Sequence, residues 1–159
     1  LDFIGLRGLS FVCNAAYIYS RVRFEEGAPE RDRPLAGQSP YLVNAGFFYQ
    51  YDDKGISASL LYNRIGKRIE SVGVPMQNQD EDIPDIYEMP RNSLDLTFSK
   101  KIGKIVEIKA GIQDILNSKV EYKQFVKLTD DKGGKSEREQ LIRSYRPGVD
   151  INIGVSLRF

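Results

Sequence analysis

Val149-Asp150-Ile151-Asn152-Ile153-Gly154-Val155-Ser156-Leu157-Arg158-Phe159 is the stretch that decides the fold. Successive side chains of an extended strand point to opposite faces. Val149, Ile151, Ile153, Val155, Leu157 and Phe159 therefore form an apolar face, and Asp150, Asn152, Gly154, Ser156 and Arg158 a polar one. A tilted strand of about 9–11 residues crosses the hydrocarbon core of a bilayer, and this alternation suits a barrel with lipid outside and water inside. A soluble sandwich with one buried face writes the same pattern, so its repetition matters.

The pattern does repeat. Tyr41, Val43, Ala45, Phe47, Tyr49 and Tyr51 oppose Asn44, Gly46 and Gln50, with Leu42 and Phe48 as misfits. Ile56, Ala58, Leu60 and Tyr62 oppose Ser57, Ser59 and Asn63, with Leu61 as the misfit. Leu94, Leu96 and Phe98 oppose Ser93, Asp95, Thr97 and Ser99, while Val106, Ile108, Ala110 and Ile112 oppose Glu107, Lys109, Gly111 and Gln113. Near the start, Leu9, Phe11, Cys13, Ala15, Tyr17 and Tyr19 oppose Ser10, Asn14 and Ser20, blurred by Val12 and Ile18. The expected fold is all-β, an antiparallel up-and-down meander of about six long strands. They fall near 8–24, 41–51, 56–69, 91–100, 105–116 with an extension toward 128, and 147–159.

The connections assign a direction. Asp52-Asp53-Lys54-Gly55 and Lys101-Ile102-Gly103-Lys104 are tight turns, each with a glycine for a backbone angle other residues resist. The alternate connections, 25–40, 70–90 and a stretch ending near Pro147, are long. Short turns on one side and long loops on the other are the outer-membrane pattern, periplasmic against extracellular. With those directions Tyr17, Tyr19, Tyr41 and Tyr62 form an outer aromatic belt, and Tyr49, Tyr51, Phe98 and Phe159 an inner one. Tyr and Phe are also simply good strand formers.

Composition limits the alternatives. The 159 residues are 41% hydrophobic and 28% charged with a formal net charge of +1, which offers nothing for nucleic acid, and no apolar run is long enough for a spanning helix. Histidine is absent, which removes the commonest metal ligand and general base. Cys13, the only cysteine, has no internal disulfide partner and sits mid-strand as a small apolar packing residue. Gly134-Lys135-Ser136 resembles the end of a phosphate loop, but the upstream glycine position holds Thr129 and no apolar strand feeds it. Asp80, Glu81, Asp82, Asp85 and Glu88 form an acidic loop that reads as solvated, because Pro84 stands where a calcium loop needs a carboxylate or amide. No catalytic, cofactor or metal site is expected. The polar-face residues Asp95, Glu107, Lys109, Gln113, Asp150, Asn152 and Arg158 read as lumen groups that pair with each other or with a plug.

Four phrases occur in order: Arg33-Pro34-Leu35-Ala36-Gly37-Gln38-Ser39-Pro40-Tyr41-Leu42-Val43-Asn44; Ile83-Pro84-Asp85-Ile86-Tyr87-Glu88-Met89-Pro90-Arg91; Ser93-Leu94-Asp95-Leu96; and Gly111-Ile112-Gln113-Asp114-Ile115-Leu116-Asn117. Together they resemble the carboxy-terminal barrel region of TonB-dependent outer-membrane receptors, in the version typical of Bacteroidetes, where a carboxypeptidase-regulatory-like domain often precedes the plug. The resemblance implies a barrel of about twenty-two strands around a plug, in the outer membrane of a Gram-negative cell. It implies import of a scarce nutrient (iron chelate, cobalamin, glycan or peptide) with energy from the TonB complex of the inner membrane. On this expectation residues 1–159 are roughly the last quarter of the barrel and not transport-competent alone. The partners implied are outer-membrane lipid, the plug and remaining barrel, the TonB complex, and the barrel-assembly machinery, for which Phe159 is the recognition signal. No cofactor is implied. A small structural outer-membrane barrel and a soluble sandwich or lipid-binding module are the other readings of the same strands.

Overall fold

β-branched and aromatic residues alternating with small polar ones favour extended backbone over helix, and the described residues follow that preference. The structure, a computed structural model, describes residues 8–28, 32–76, 82–129 and 134–158. It is all-β, with ten strands and no α-helix among the described residues. The strands are β1 (Leu9–Tyr17), β2 (Tyr41–Tyr51), β3 (Ile56–Ile65), β4 (Arg68–Ser71), β5 (Ile86–Glu88), β6 (Arg91–Ile102), β7 (Val106–Gln113), β8 (Val120–Thr129), β9 (Lys135–Tyr145) and β10 (Asp150–Leu157). Six of them form one antiparallel meander in the order β1-β2-β3-β6-β7-β10.

The other four form a second sheet in the order β4-β5-β8-β9. That order repeats β3-β6-β7-β10, because β4 prolongs β3, β5 leads into β6, β8 follows β7 and β9 leads into β10. The second sheet is therefore the continuation of four strands beyond a bend. The bend has local causes. Pro90 and Pro147 cannot donate to a ladder. Asp114 (φ 51°) and Asn117 (φ 43°) take the left-handed conformation that Asp and Asn tolerate best. Gly66 allows the β3–β4 link to press on Tyr41, whose ring would lie 2.7 Å from an added Cβ.

At the opposite end the turns are tight. Gly55, at φ 58° and ψ 37°, donates its N–H to the Asp52 carbonyl after a single 3-10 turn. Gly103, at φ 62°, takes the left-handed angle of the turn between β6 and β7.

Register makes both faces continuous. Tyr49 faces Ala58, Ala58 faces Phe98, Phe98 faces Ala110 and Ala110 faces Ile153, one unbroken apolar row across five strands. On the other face Ser57 Oγ meets Ser99 Oγ at 2.7 Å and Ser59 Oγ meets Thr97 Oγ1 at 2.6 Å.

Among the described residues, nothing covers either face of the six-stranded sheet. The buried apolar residues among those described are Ile69, Val120 and Tyr122, all in the second sheet. Phe47 and Phe98 are 49% and 44% exposed, and Ile153 reaches 75%. The accessible surface is 11808 Å², against about 8,100 Å² for a compact monomer of this 18.1 kDa mass.

Several expected boundaries shift. The strand expected over 8–24 ends at Tyr17, because its partner strand begins only after Pro40; Tyr19 lies in the following loop. The strand expected over 56–69 breaks at Gly66 into β3 and β4. The expected continuation from 105 toward 128 is two strands, β7 and β8, separated by the positive-φ corner. The strand expected from 147 begins at Asp150, since Pro147 and Gly148 (φ 98°) interrupt pairing. The long connections after β3 and β7 are paired: β4 with β5, and β8 with β9. Phe159 lies outside the described residues.

Candidate functional site

The two sequence phrases built around Asp95 and Asp114 meet at the bend. Asp95 Oδ1 accepts the Asp114 N–H at 2.8 Å, and the Leu94 carbonyl accepts the Ile115 N–H at 2.8 Å. Asn117 then closes the corner: its N–H donates to the Asp114 carbonyl, and its Oδ1 accepts the Gly148 N–H at 3.1 Å. The Asp114 carboxylate is buried without a hydrogen bond among the described residues; Arg91 Nη1 approaches its Oδ2 at 4.0 Å.

Beside this corner, on the polar face, the two sheets enclose an open cleft of ≈ 430 Å³. Asn63 and Ser93 of the first sheet, Arg68 and Glu88 of the second, and Arg91, Tyr122 and Tyr145 line it. Register brings them together. Arg68 faces Glu88, Glu88 faces Tyr122 and Tyr122 faces Arg143, so a single row crosses all four strands of the second sheet. Arg68 donates from Nε at 2.8 Å and from Nη2 at 2.7 Å to Glu88 Oε2, and the Glu88 side chain is only 12% exposed. A charge pair this sheltered, with two hydrogen bonds, fixes the cleft floor. The Arg143 guanidinium lies 4.1 Å from the Tyr122 ring centroid and 5.6 Å from that of Tyr145. Burial raises the Tyr122 phenol above its ordinary pKa, while its hydrogen bond to Arg143 pulls the other way.

The outer face of the second sheet has a different chemistry. Lys67 lies 4.7 Å from the Tyr87 ring centroid and 4.8 Å from that of Phe125, whose own rings meet edge-on at 5.7 Å. Burial, followed by the nearby Asp85, raises the Tyr87 phenol. The hydrogen bond to Glu139, at 2.7 Å, raises Lys123.

The polar-face residues singled out in the sequence do not converge. Glu107 bridges Lys109 Nζ at 3.6 Å and Arg158 Nη2 at 3.9 Å near the tight-turn end. Asn152 lies over Gly111 in the middle, where an added Cβ would meet its Oδ1 at 2.7 Å. Gln113 faces Asp150 at the bend, and Asp95 serves the corner. Three of the misfits of the alternation do converge. Phe48 and Leu61 close over Gly46, with Val12 beside them, forming an apolar island around a hollow of ≈ 350 Å³ on the polar face.

On the apolar face Tyr17 pairs with Tyr41, and Tyr41 and Tyr62 surround Arg64 through hydroxyl contacts and Asn92. Tyr49, Tyr51 and Phe98 lie toward the tight turns. The acidic loop is dispersed: Asp82 caps Met76, Asp85 caps Gly73, and Glu88 is paired with Arg68; Asp80 and Glu81 lie outside the described residues. No cluster able to hold a metal occurs among the described residues.

Arg68, Arg91, Tyr122, Arg143 and Tyr145 carry no signal in local alternation. Between the Tyr122–Arg143 and Lys123–Leu141 pairs the register of β8 and β9 shifts, leaving Ile142 as an extra residue of β9, which breaks the strand period in a polar stretch. Compared with protein-family models, curated proteins and solved structures, the chain matches none.

Proposed function

We propose that this chain is the carboxy-terminal part of the barrel wall of a TonB-dependent outer-membrane receptor that imports a scarce nutrient by energy-coupled transport. The observation that carries the reading is the six-stranded sheet with an uncovered, register-continuous apolar face and a hydrogen-bonded polar face. In water an uncovered apolar face of this breadth has no counterpart in ordinary monomers. In a bilayer it is the face that meets lipid. A soluble sandwich needs a second sheet packed on the apolar face about 10 Å away, and none of the described residues lies there.

On this reading the polar face lines the lumen against the plug, the tight turns are periplasmic, and the second sheet is the barrel wall prolonged above the outer leaflet. The unpaired edges of β1 and β10 require neighbouring strands from the remaining barrel, because open edges are not tolerated in lipid. The terminal strand is the substrate of the barrel-assembly machinery.

The test is made on the full-length polypeptide. It is expected to fractionate with the outer membrane, to need detergent for solubility, and to migrate faster on gels before boiling than after. A full-length protein that stays soluble without detergent and shows no heat modifiability overturns the reading.

A further inference from the structure

The apolar face of the six-stranded sheet changes character where it reaches the bend. Along β3, Ile56, Ala58, Leu60 and Tyr62 belong to that face, and the next residue on it is Arg64. Arg64 is in register with Val43 of β2 and Asn92 of β6, and it does not line the cleft on the polar side. Just past Gly66, Lys67 stands exposed on the outer face of the second sheet. Two cations therefore flank the bend on the outside of the wall.

Both are held by neutral groups. Arg64 donates from Nη1 to Asn92 Oδ1 at 3.0 Å and from Nε to Tyr41 Oη at 3.4 Å, and Tyr62 Oη donates to the same Asn92 oxygen at 2.8 Å. Lys67 is seated on the rings of Tyr87 and Phe125. Among the described residues neither cation has an ion-pair partner. Lys123, farther out on the second sheet, does: Glu121 lies at 3.5 Å and Glu139 at 2.7 Å. Arg64 is half-buried, and a sheltered charge without a counter-charge is unfavourable.

The position of the pair selects the missing anion. Below Arg64 the face is apolar, and Tyr17, Tyr41 and Tyr62 mark its rim. On the receptor reading, hydrocarbon ends at this rim and lipid headgroups begin. A guanidinium presents a planar fork that fits two phosphate oxygens, and an ammonium adds a compact point charge. Two positive charges match a phosphomonoester, which carries about −1.5 to −2 at pH 7.

We infer that Arg64 and Lys67 form a binding site for the phosphomonoester headgroup of an anionic outer-leaflet lipid, on the outside of the wall at the bend. This inference rests on the receptor reading.

The experiment uses delipidated full-length protein in detergent. Native mass spectrometry counts the adducts retained from dioleoyl phosphatidate, from dioleoyl phosphatidylcholine, whose headgroup is neutral overall, and from dioleoylglycerol, which has no phosphate. Phosphatidate is expected to be retained in preference to both. The double variant Arg64→Gln, Lys67→Gln is expected to cut its retention about fivefold or more, and Lys67→Gln alone about threefold. Lys101→Gln with Lys104→Gln removes the same charge at the tight-turn end and is expected to leave retention unchanged. Equal retention of phosphatidate and phosphatidylcholine overturns the inference, leaving two solvated cations at a membrane rim. So does an equal loss in the Lys101, Lys104 control, or displacement of phosphatidate by an excess of inorganic phosphate, which marks a site for free anions. Heat modifiability is measured on every preparation, so that misfolding is separated from lost contact; exposed Lys67 supplies a variant that does not depend on the Arg64 hydrogen bonds. In each overturning outcome a heat-modifiable, detergent-dependent protein leaves the receptor reading standing, and its absence overturns that reading separately.

Discussion

Cys13 shows how a single residue tells one solvent from another. It sits mid-strand on the apolar face, exposed, opposite Ala45 and two residues from Phe11, which is 54% exposed. In water such a thiol reacts freely; behind lipid a charged reagent cannot reach it. On the proposed receptor reading, Cys13 in outer-membrane preparations of the full-length protein is expected to resist a membrane-impermeant maleimide and to label fully after denaturation in detergent and urea. Rapid labelling in intact membranes would contradict the orientation of β1. Gly66 and Asp114 belong to the same scale. One is a close approach to Tyr41, the other a positive-φ carboxylate, and neither is distinguishable from an ordinary loop residue until the corner is folded.

Among the elements, β10 carries the clearest consequence. Ile153 is 75% exposed and lies mid-strand, so in a soluble protein Ile153→Arg is a surface change within about 0.5 kcal/mol. Near the middle of a bilayer the same change costs about 2–4 kcal/mol. We expect Ile153→Arg to reduce the heat-modifiable fraction strongly, while Asn152→Ser, on the polar face, leaves it nearly unchanged; urea titration of the reconstituted protein measures both. The second sheet answers to pH instead. The phenols of Tyr87 and Tyr122 have folded pKa values above the ordinary value of 10.0, so the folded state holds their protons more tightly than the unfolded chain does. Their contribution is complete below about pH 10 and is lost as pH rises through the folded values. Alkaline titration followed by phenolate absorbance is expected to show two late-ionising tyrosines whose ionisation coincides with increased hydrogen exchange in β5 and β8. Early ionisation of both, near pH 10, would contradict the burial that holds them.

Across the whole molecule, the alternation of β2, β3, β6, β7 and β10 is legible in sequence because each strand sets mostly apolar residues on one face of the sheet and small polar ones on the other, a period of two. The second sheet escapes that rule. Its strands meet water or one another on both faces, so β9 reads as a polar connection and β5 is only three residues long. For the same reason the cleft is nearly invisible in the sequence. Glu88 is legible as an acidic residue, but its partner Arg68 lies 20 positions away and is joined to it only by the β4–β5 register.

The sequence by itself determined the strand class, the antiparallel meander, the two faces and the end at which the turns are tight, because period and turn chemistry are local properties. Tertiary structure alone decided that the long connections are paired strands, that Val12, Phe48 and Leu61 gather around Gly46, and that Arg68, Glu88, Tyr122 and Arg143 share one row. Those juxtapositions depend on register between distant segments, and register is a property of the assembled sheet rather than of any one strand.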